Sequence, residues 1–113
     1  MEIGTGSGYA AAVLAQIVSK VYTIERHASL AAKAQEVFKA LDYRNIITRV
    51  GDGTKGWPEE APFDGILVSA GAPGVPESLC NQLKPGGRLV IPAGDRQCQE
   101  LLLVRRNEDG SFS

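Results

Sequence analysis

Apolar and polar positions along this chain change period repeatedly, from the twofold alternation of strands to the three-to-four spacing of helices. Met1-Glu2-Ile3 predicts a strand shorter than the usual length of about 5–6 residues, running directly into Gly4-Thr5-Gly6-Ser7-Gly8-Tyr9. Ala10 to Val18 is alanine-rich with Leu14, Ala15 and Val18 at helical spacing, which predicts a short helix. Lys20-Val21-Tyr22-Thr23-Ile24 is β-branched and aromatic and predicts a buried strand ending at Glu25-Arg26. From Ala28 to Leu41 the pattern predicts a helix that buries Leu30, Ala34, Val37, Phe38 and Leu41 and wets Lys33, Gln35, Glu36 and Lys39. Asp42 to Asn45 reads as a turn, and Ile46 to Val50 as a third strand stopping at Gly51-Asp52-Gly53.

The Pro- and Gly-bearing segment Thr54 to Pro62 leads into a predicted fourth strand, Phe63 to Ser69, ended by Ala70-Gly71-Ala72-Pro73. Val75 to Leu83 predicts a short helix, Lys84-Pro85-Gly86-Gly87 a turn, Arg88 to Pro92 a strand, and Glu100 to Val104 a last strand. Strands alternating with helices imply an α/β fold, a doubly wound parallel sheet with right-handed crossovers, as one domain over residues 1–113. Ligands bind such sheets beyond the carboxyl ends of the strands. The loops at Gly4 to Tyr9, Glu25-Arg26, Gly51 to Gly53 and Ser69 to Ala72 all fall at that edge.

Composition narrows the partners. A chain of 113 residues buries roughly 60–65% of its unfolded surface, enough for a single core. The formal net charge is −1 and no Lys/Arg run is present, so the footprint of a nucleic-acid or anionic-membrane binder is missing. Cys80 and Cys98 are too few and too far apart for a zinc knuckle or a disulfide framework, and no metal site is expected. With no apolar run near the roughly 20 residues of a membrane span and no signal-peptide pattern after Met1, a cytoplasmic setting is expected.

The glycine spacing discriminates between cofactors. A dinucleotide fingerprint, G-x-G-x-x-G, needs its third glycine where this chain has Tyr9, which disfavours an NAD-dependent oxidoreductase. G-T-G-S-G-Y instead resembles the first motif of Rossmann-like S-adenosyl-L-methionine-dependent methyltransferases. Glu25, at the end of the second strand, is placed to accept both ribose hydroxyls of an adenosine cofactor, against the alternative of an exposed strand-end glutamate. Asp52 is placed to accept from the adenine amino group while Gly53 permits close approach, against a plain Asp-Gly turn. Glu2 either holds the glycine loop, reaches the amino group of a methionine moiety, or is a frayed terminal residue. Trp57 reads as packing and His27 as a helix-entry residue; no triad emerges, and no catalytic residue is assigned.

Taken in order, the loops resemble the central part of the protein-L-isoaspartate O-methyltransferase family. The resemblance is carried by E-I-G-T-G-S-G-Y at Glu2 to Tyr9, V-Y-T-I-E-R at Val21 to Arg26, G-D-G at Gly51 to Gly53, G-W-P-E-E-A-P-F-D-G-I-L-V-S-A at Gly56 to Ala70, and Q-L-K-P-G-G-R-L-V-I-P-A-G at Gln82 to Gly94. It implies methyl transfer from S-adenosyl-L-methionine to the α-carboxylate of L-isoaspartyl residues in damaged proteins or peptides. The ester then closes to a succinimide, and hydrolysis returns some normal linkage. By position, Gly4, Gly6, Ser7 and Gly8 line the methionine and ribose side, Glu25 the ribose, Asp52 and Gly53 the adenine, and Ala70 and Gly71 the pocket floor. Family members also carry a closing region before the glycine loop and a further strand after the position of Ser113. The resemblance therefore implies a Rossmann-like sheet with helices on both faces, incomplete at both termini. Two readings compete with an active isoaspartyl methyltransferase: a remnant that at most binds cofactor, and a methyltransferase for another substrate.

Overall fold

A computed structural model describes residues 1–6, 8–69, 74–94 and 99–113, which fall into two units, Met1–Gly53 and Thr54–Ser113. The first unit runs β1 (Glu2–Ile3), α1 (Tyr9–Ile17), β2 (Val21–Glu25), α2 (Ala28–Ala40) and β3 (Ile46–Val50). β2 lies between β1 and β3, parallel to both, with Glu2 opposite Thr23, Val21 opposite Ile46 and Glu25 opposite Val50. Parallel strands require crossovers, and α1 and α2 supply them.

Both helices of this unit bury their small residues. Ala11 of α1, Val21 of β2, and Ala34 and Phe38 of α2 form one cluster, with Leu14, Ala15, Tyr43 and Ile46 packed against it. The predicted face of α2 was turned by about one residue. Leu30, Val37 and Leu41 are 37%, 43% and 63% exposed, while Ala31, Ala34 and Phe38 are buried. Alanines let the helix axis approach the strands, and the Phe38 ring fills the remaining space; the apolar pattern was wider than the buried stripe and could not say which edge wins. The turn after α1 is tied by Asn45, whose Nδ2 donates to the carbonyls of Ala15 (2.8 Å) and Val18 (3.2 Å).

The second unit contains two short 3₁₀ turns ending at Lys55 and Glu60, then β4 (Phe63–Val68), α3 (Glu77–Cys80), β5 (Leu83–Gly94) and β6 (Gln99–Arg105). β4 and β5 are parallel; β5 and β6 form an antiparallel pair from Arg88 opposite Arg105 to Gly94 opposite Gln99. Leu89, Ile91 and Ala93 alternate into the core with Phe63, Ile66, Val68, Leu79 and Leu83. The predicted helix from Val75 to Leu83 shrinks to α3. Val75 precedes Pro76, a position disfavoured for helix, and Leu83 already pairs with Phe63.

Lys84 to Gly87, predicted as a turn between elements, is a bulge inside β5. Phe63 pairs with Leu83, yet Gly65 pairs with Arg88, so the intervening residues loop out of register. Gly86 has φ +83°, and a Cβ on Gly87 would lie 2.8 Å from the Lys84 carbonyl oxygen. Backbone bonds to Arg106, the residue after β6, hold the bulge, from Gly86 N–H to the Arg106 carbonyl (2.6 Å) and from Arg106 N–H to the Gly87 carbonyl (3.0 Å).

Gln82 organises the segment before β4. It is 8% exposed; its Oε1 accepts from the Trp57 N–H (2.9 Å) and its Nε2 donates to the Lys55 carbonyl (3.0 Å). Trp57 is half-buried. Gln82→Leu removes the amide that bonds these two backbone groups, and an expected loss of about 2–3 kcal/mol would be read from urea midpoints. An unchanged midpoint would show that water replaces the amide at no cost.

Cys80 is a buried free thiol whose burial pushes its pKa up. Cys98 lies outside the described residues. Among the described residues, no helix is long and apolar enough to cross a membrane.

Candidate functional site

On the face of β1 and β2 that carries Val21, the side chains of Glu2, Thr23 and Glu25 form a polar column within an otherwise apolar layer. Parallel register puts Glu2 beside Thr23, and Glu25 follows two residues later on the same side. All three are buried, with Glu2 and Thr23 at 0% and Glu25 at 5% exposure. The frayed-terminus reading of Glu2 and the exposed-strand-end reading of Glu25 are therefore both excluded.

Glu25 braces two backbone segments. Its Oε1 accepts from the Gly6 N–H (3.0 Å) and its Oε2 from the His27 N–H (2.8 Å), joining the glycine loop to the entry of α2. Burial by itself would raise its pKa, but the amides of His27 and Gly6 and the neighbouring His27 charge outweigh it, and the carboxyl sits below its ordinary range. Each oxygen keeps a second lone-pair site, so a diol can still be accepted. His27 caps the start of α2 by position, the helix-entry role expected of it.

Glu2 is in the opposite condition. Thr23 Oγ1 donates to Glu2 Oε1 (2.8 Å); its single proton is thereby spent, so Thr5 Oγ1 must donate to Thr23 across 2.6 Å. Glu2 Oε2 is buried and has no hydrogen-bond partner among the described residues. Burial raises its pKa, the Thr23 bond and the chain's α-ammonium pull it down, and the nearby Glu25 charge pushes it up again; the net direction is upward. Thr5 and Thr23 were not singled out from sequence. The available signal was Thr23 at the same strand parity as Glu25 in an apolar run.

The glycine loop is built by backbone conformation. Gly4, Gly6 and Gly8 have φ of 94°, 55° and 89°, and Gly4 N–H continues the β1–β2 pairing by donating to the Ile24 carbonyl (2.8 Å). A Cβ on Gly6 would meet nothing within 4 Å, so the loop presents open space there. Gly8 differs, because a Cβ would lie 2.8 Å from the Phe38 ring; it starts α1 without a side-chain cap.

Gly51 N–H donates to the Glu25 carbonyl (3.0 Å), which sets Gly51 to Gly53 beside the end of β2. Asp52 is exposed there. Gly53 permits a close approach, but to the protein itself: a Cβ would overlap Cγ2 of Ile3. Thus Glu2, Gly4, Gly6, Gly8, Glu25, Asp52 and Gly53 come from the ends of β1, β2 and β3, whereas Ser7, Ala70 and Gly71 lie outside the described residues. A cavity of about 280 Å³ between α2 and β3, lined in part by Lys39, Asp42, Arg44 and Thr48, includes none of the candidate residues.

The chain is 68% identical over 113 residues to a protein-L-isoaspartate O-methyltransferase of Pelotomaculum thermopropionicum and 58% identical over 113 residues to one of Trichlorobacter lovleyi. All of this chain is matched in both, against 49% and 52% of the relatives, so the chain spans about half the length of the curated relatives it matches. Among solved structures, a protein-L-isoaspartate O-methyltransferase superposes with a TM-score of 0.88 at 33% identity, covering 99% of this chain and 38% of that one. A Plasmodium falciparum member crystallised with S-adenosyl-L-homocysteine gives 0.79 at 26% identity, covering 99% of this chain and 59% of that one. The fold is therefore the Rossmann-like α/β fold of S-adenosylmethionine-dependent methyltransferases. The family model for protein-L-isoaspartate (D-aspartate) O-methyltransferases matches residues 1–113, and the chain belongs to that family.

Proposed function

We propose that this protein transfers a methyl group from S-adenosylmethionine to the α-carboxylate of L-isoaspartyl residues in damaged proteins and peptides. The observation that carries this is the Glu25-braced glycine loop within a family match over residues 1–113. The residues present suit the cofactor. Glu25 offers lone pairs for ribose hydroxyls, Gly6 leaves open space, and Glu2 Oε2 waits for a partner. When bound, the cofactor supplies a methyl group activated on a sulfonium.

The chain's own work is binding and orientation. Glu25 remains ionised because two amides hold it, and it keeps the loop in one conformation. Asp52 provides an acceptor at the end of β3 for the adenine amino group. A substrate carboxylate is already an ionised nucleophile, so little acid or base help is needed; alignment in a site closed to water supplies most of the acceleration. The net charge of −1 supports protein or peptide substrates over nucleic acid, and the free thiol of Cys80 suits a reducing, cytoplasmic setting.

The test pairs an isoaspartyl peptide with its normal aspartyl counterpart, each incubated with the chain and methyl-labelled cofactor. Base-labile methyl ester on the isoaspartyl peptide alone is the expected result. Cofactor binding without ester on either peptide would replace this function with the cofactor-binding remnant, and ester on both would remove the isoaspartyl specificity.

A further inference from the structure

The cavity of about 280 Å³ between α2 and β3 has no part in the cofactor site, and its surroundings make it a groove for an extended chain. β3 ends the sheet: β2 is its one strand neighbour among the described residues. Val21 N–H donates to the Asn45 carbonyl (2.8 Å) and Gly51 N–H to the Glu25 carbonyl (3.0 Å), so the odd-numbered residues of this stretch turn their backbone groups toward β2. Ile46, Thr48 and Val50 turn theirs the other way, to the open edge, and such an edge is a template for another strand. Ile46 and Thr48 also line the cavity, together with Phe38 and Lys39 of α2 and Arg44 of the connecting turn. Phe38 is 4% exposed and makes an apolar floor, whereas Lys39 and Arg44 are exposed at the rim. Asp42 stands at the same rim and accepts from Arg44 Nε at 3.1 Å, but the two side chains are 85% (Arg44) and 76% (Asp42) exposed, and so exposed a pair contributes little. Two cations against one carboxylate leave the rim positive.

We propose that the groove between α2 and the edge of β3 binds an extended acidic segment of a partner protein, which adds to β3 as a strand and seats one glutamate side chain in the cavity. The segment's main chain exchanges hydrogen bonds with Thr48, whose N–H and C=O both face the edge. Side chains alternate along a strand, so every second residue of the segment points under α2. A glutamate there lays its methylenes against Phe38 and Ile46 and brings its carboxylate to the rim, between Lys39 and Arg44. Arg44 keeps the guanidinium donors that Asp42 does not use. A lysine in the same position would meet two like charges. A second copy of this chain fits the edge less well, because β3 reads Ile-Ile-Thr-Arg-Val and brings a further cation and no carboxylate. The groove lies toward the amino end of β3, whereas Gly51 to Gly53 follow its carboxyl end, so the segment and the cofactor do not compete for residues.

The test is an NMR titration of the ¹⁵N-labelled 113-residue chain with a short acetylated and amidated peptide that alternates glutamate with valine. The peptide contains no isoaspartyl residue, so the outcome is separate from that of the methylation assay. Saturable shifts are expected at Lys39, Arg44, Ile46 and Thr48, with slower hydrogen exchange of the Thr48 amide in the complex. Binding should weaken as salt rises. Arg44→Glu should weaken it at least about tenfold and leave S-adenosylhomocysteine affinity unchanged. The peptide with lysine in place of glutamate should not bind, and N-methylation of its central residues, which removes main-chain donors, should abolish binding of the glutamate peptide. Absence of shifts in the groove overturns the proposal, as does equal binding of the lysine peptide or an affinity that Arg44→Glu leaves unchanged. Shifts at Lys39 and Arg44 without protection of Thr48 would show an ion contact only and overturn strand addition. Dimerisation of the peptide-free chain that protects Thr48 would overturn the proposal in favour of a second copy. Should Arg44→Glu fail to fold, Lys39→Glu, from α2, is read in the same way.

Discussion

Glu25→Ala is expected to weaken S-adenosylhomocysteine binding by at least about 100-fold and to cost about 2–4 kcal/mol of folding stability. Both effects come from one carboxylate. It accepts two backbone N–H bonds, from Gly6 and His27, at 3.0 and 2.8 Å, and charge-assisted bonds are worth about 1.5–3 kcal/mol each. Alanine leaves the Gly6 amide without its partner, and the loop loses one of its ties to β2, the Gly4–Ile24 and Thr5–Thr23 bonds remaining. Calorimetry reads the affinity and urea unfolding reads the stability. A stable, tight-binding Glu25→Ala chain would reject the bracing role.

The same carboxylate sets a pH dependence. Its folded pKa lies below the ordinary value of 4.5, so its stabilisation is complete above that value and is lost as pH falls through the folded pKa. Glu2 has the opposite sign. Its folded pKa lies above 4.5, so its contribution is complete below that value and is lost as pH rises through the raised pKa. Urea midpoints taken from acid to neutral pH should therefore lose their acid-side fall in Glu25→Ala and their neutral-side decline in Glu2→Gln. A profile that neither change alters would exclude both carboxyls as its source.

Gly8→Ala is expected to destabilise the chain by about 2–4 kcal/mol, a large share of a typical domain stability of about 5–15 kcal/mol. Two costs combine. Gly8 has φ +89°, and a left-handed conformation costs a residue with a Cβ about 1–2 kcal/mol. The added Cβ would also lie 2.8 and 2.9 Å from two atoms of the Phe38 ring, itself 4% exposed, and overpacking costs about 1–3 kcal/mol. A double-mutant cycle with Phe38→Leu separates them, since the smaller side chain removes the clash and leaves the backbone cost. Equal losses in both backgrounds would mean that the ring contact contributes nothing.

Much of this fold was legible because its strands carry local signals. Ile46–Val50 begins and ends as its β-branched run predicts, and β2 and β4 lie within a residue of theirs. Where the expectation departed, a distant partner decided. The bulge at Lys84 to Gly87 looks like a turn because Pro-Gly-Gly is turn chemistry, yet β4 on one side and Arg106 on the other keep it within β5. The face of α2 depended on how close alanine allows two helices and a strand to come.

The site divides the same way. Sequence alone determined that a glycine loop follows the first strand, that Glu25 ends the second and that Asp52 ends the third, since each position follows from chain order and strand parity. It could not say what those residues touch. Only the tertiary structure decided that Glu25 spends its charge on the amides of Gly6 and His27, that Gly53 is small to admit Ile3, and that Glu2 is buried with one oxygen unpaired. These facts depend on side-chain burial and on contacts between segments remote in sequence, and such contacts exist only once the strands have paired.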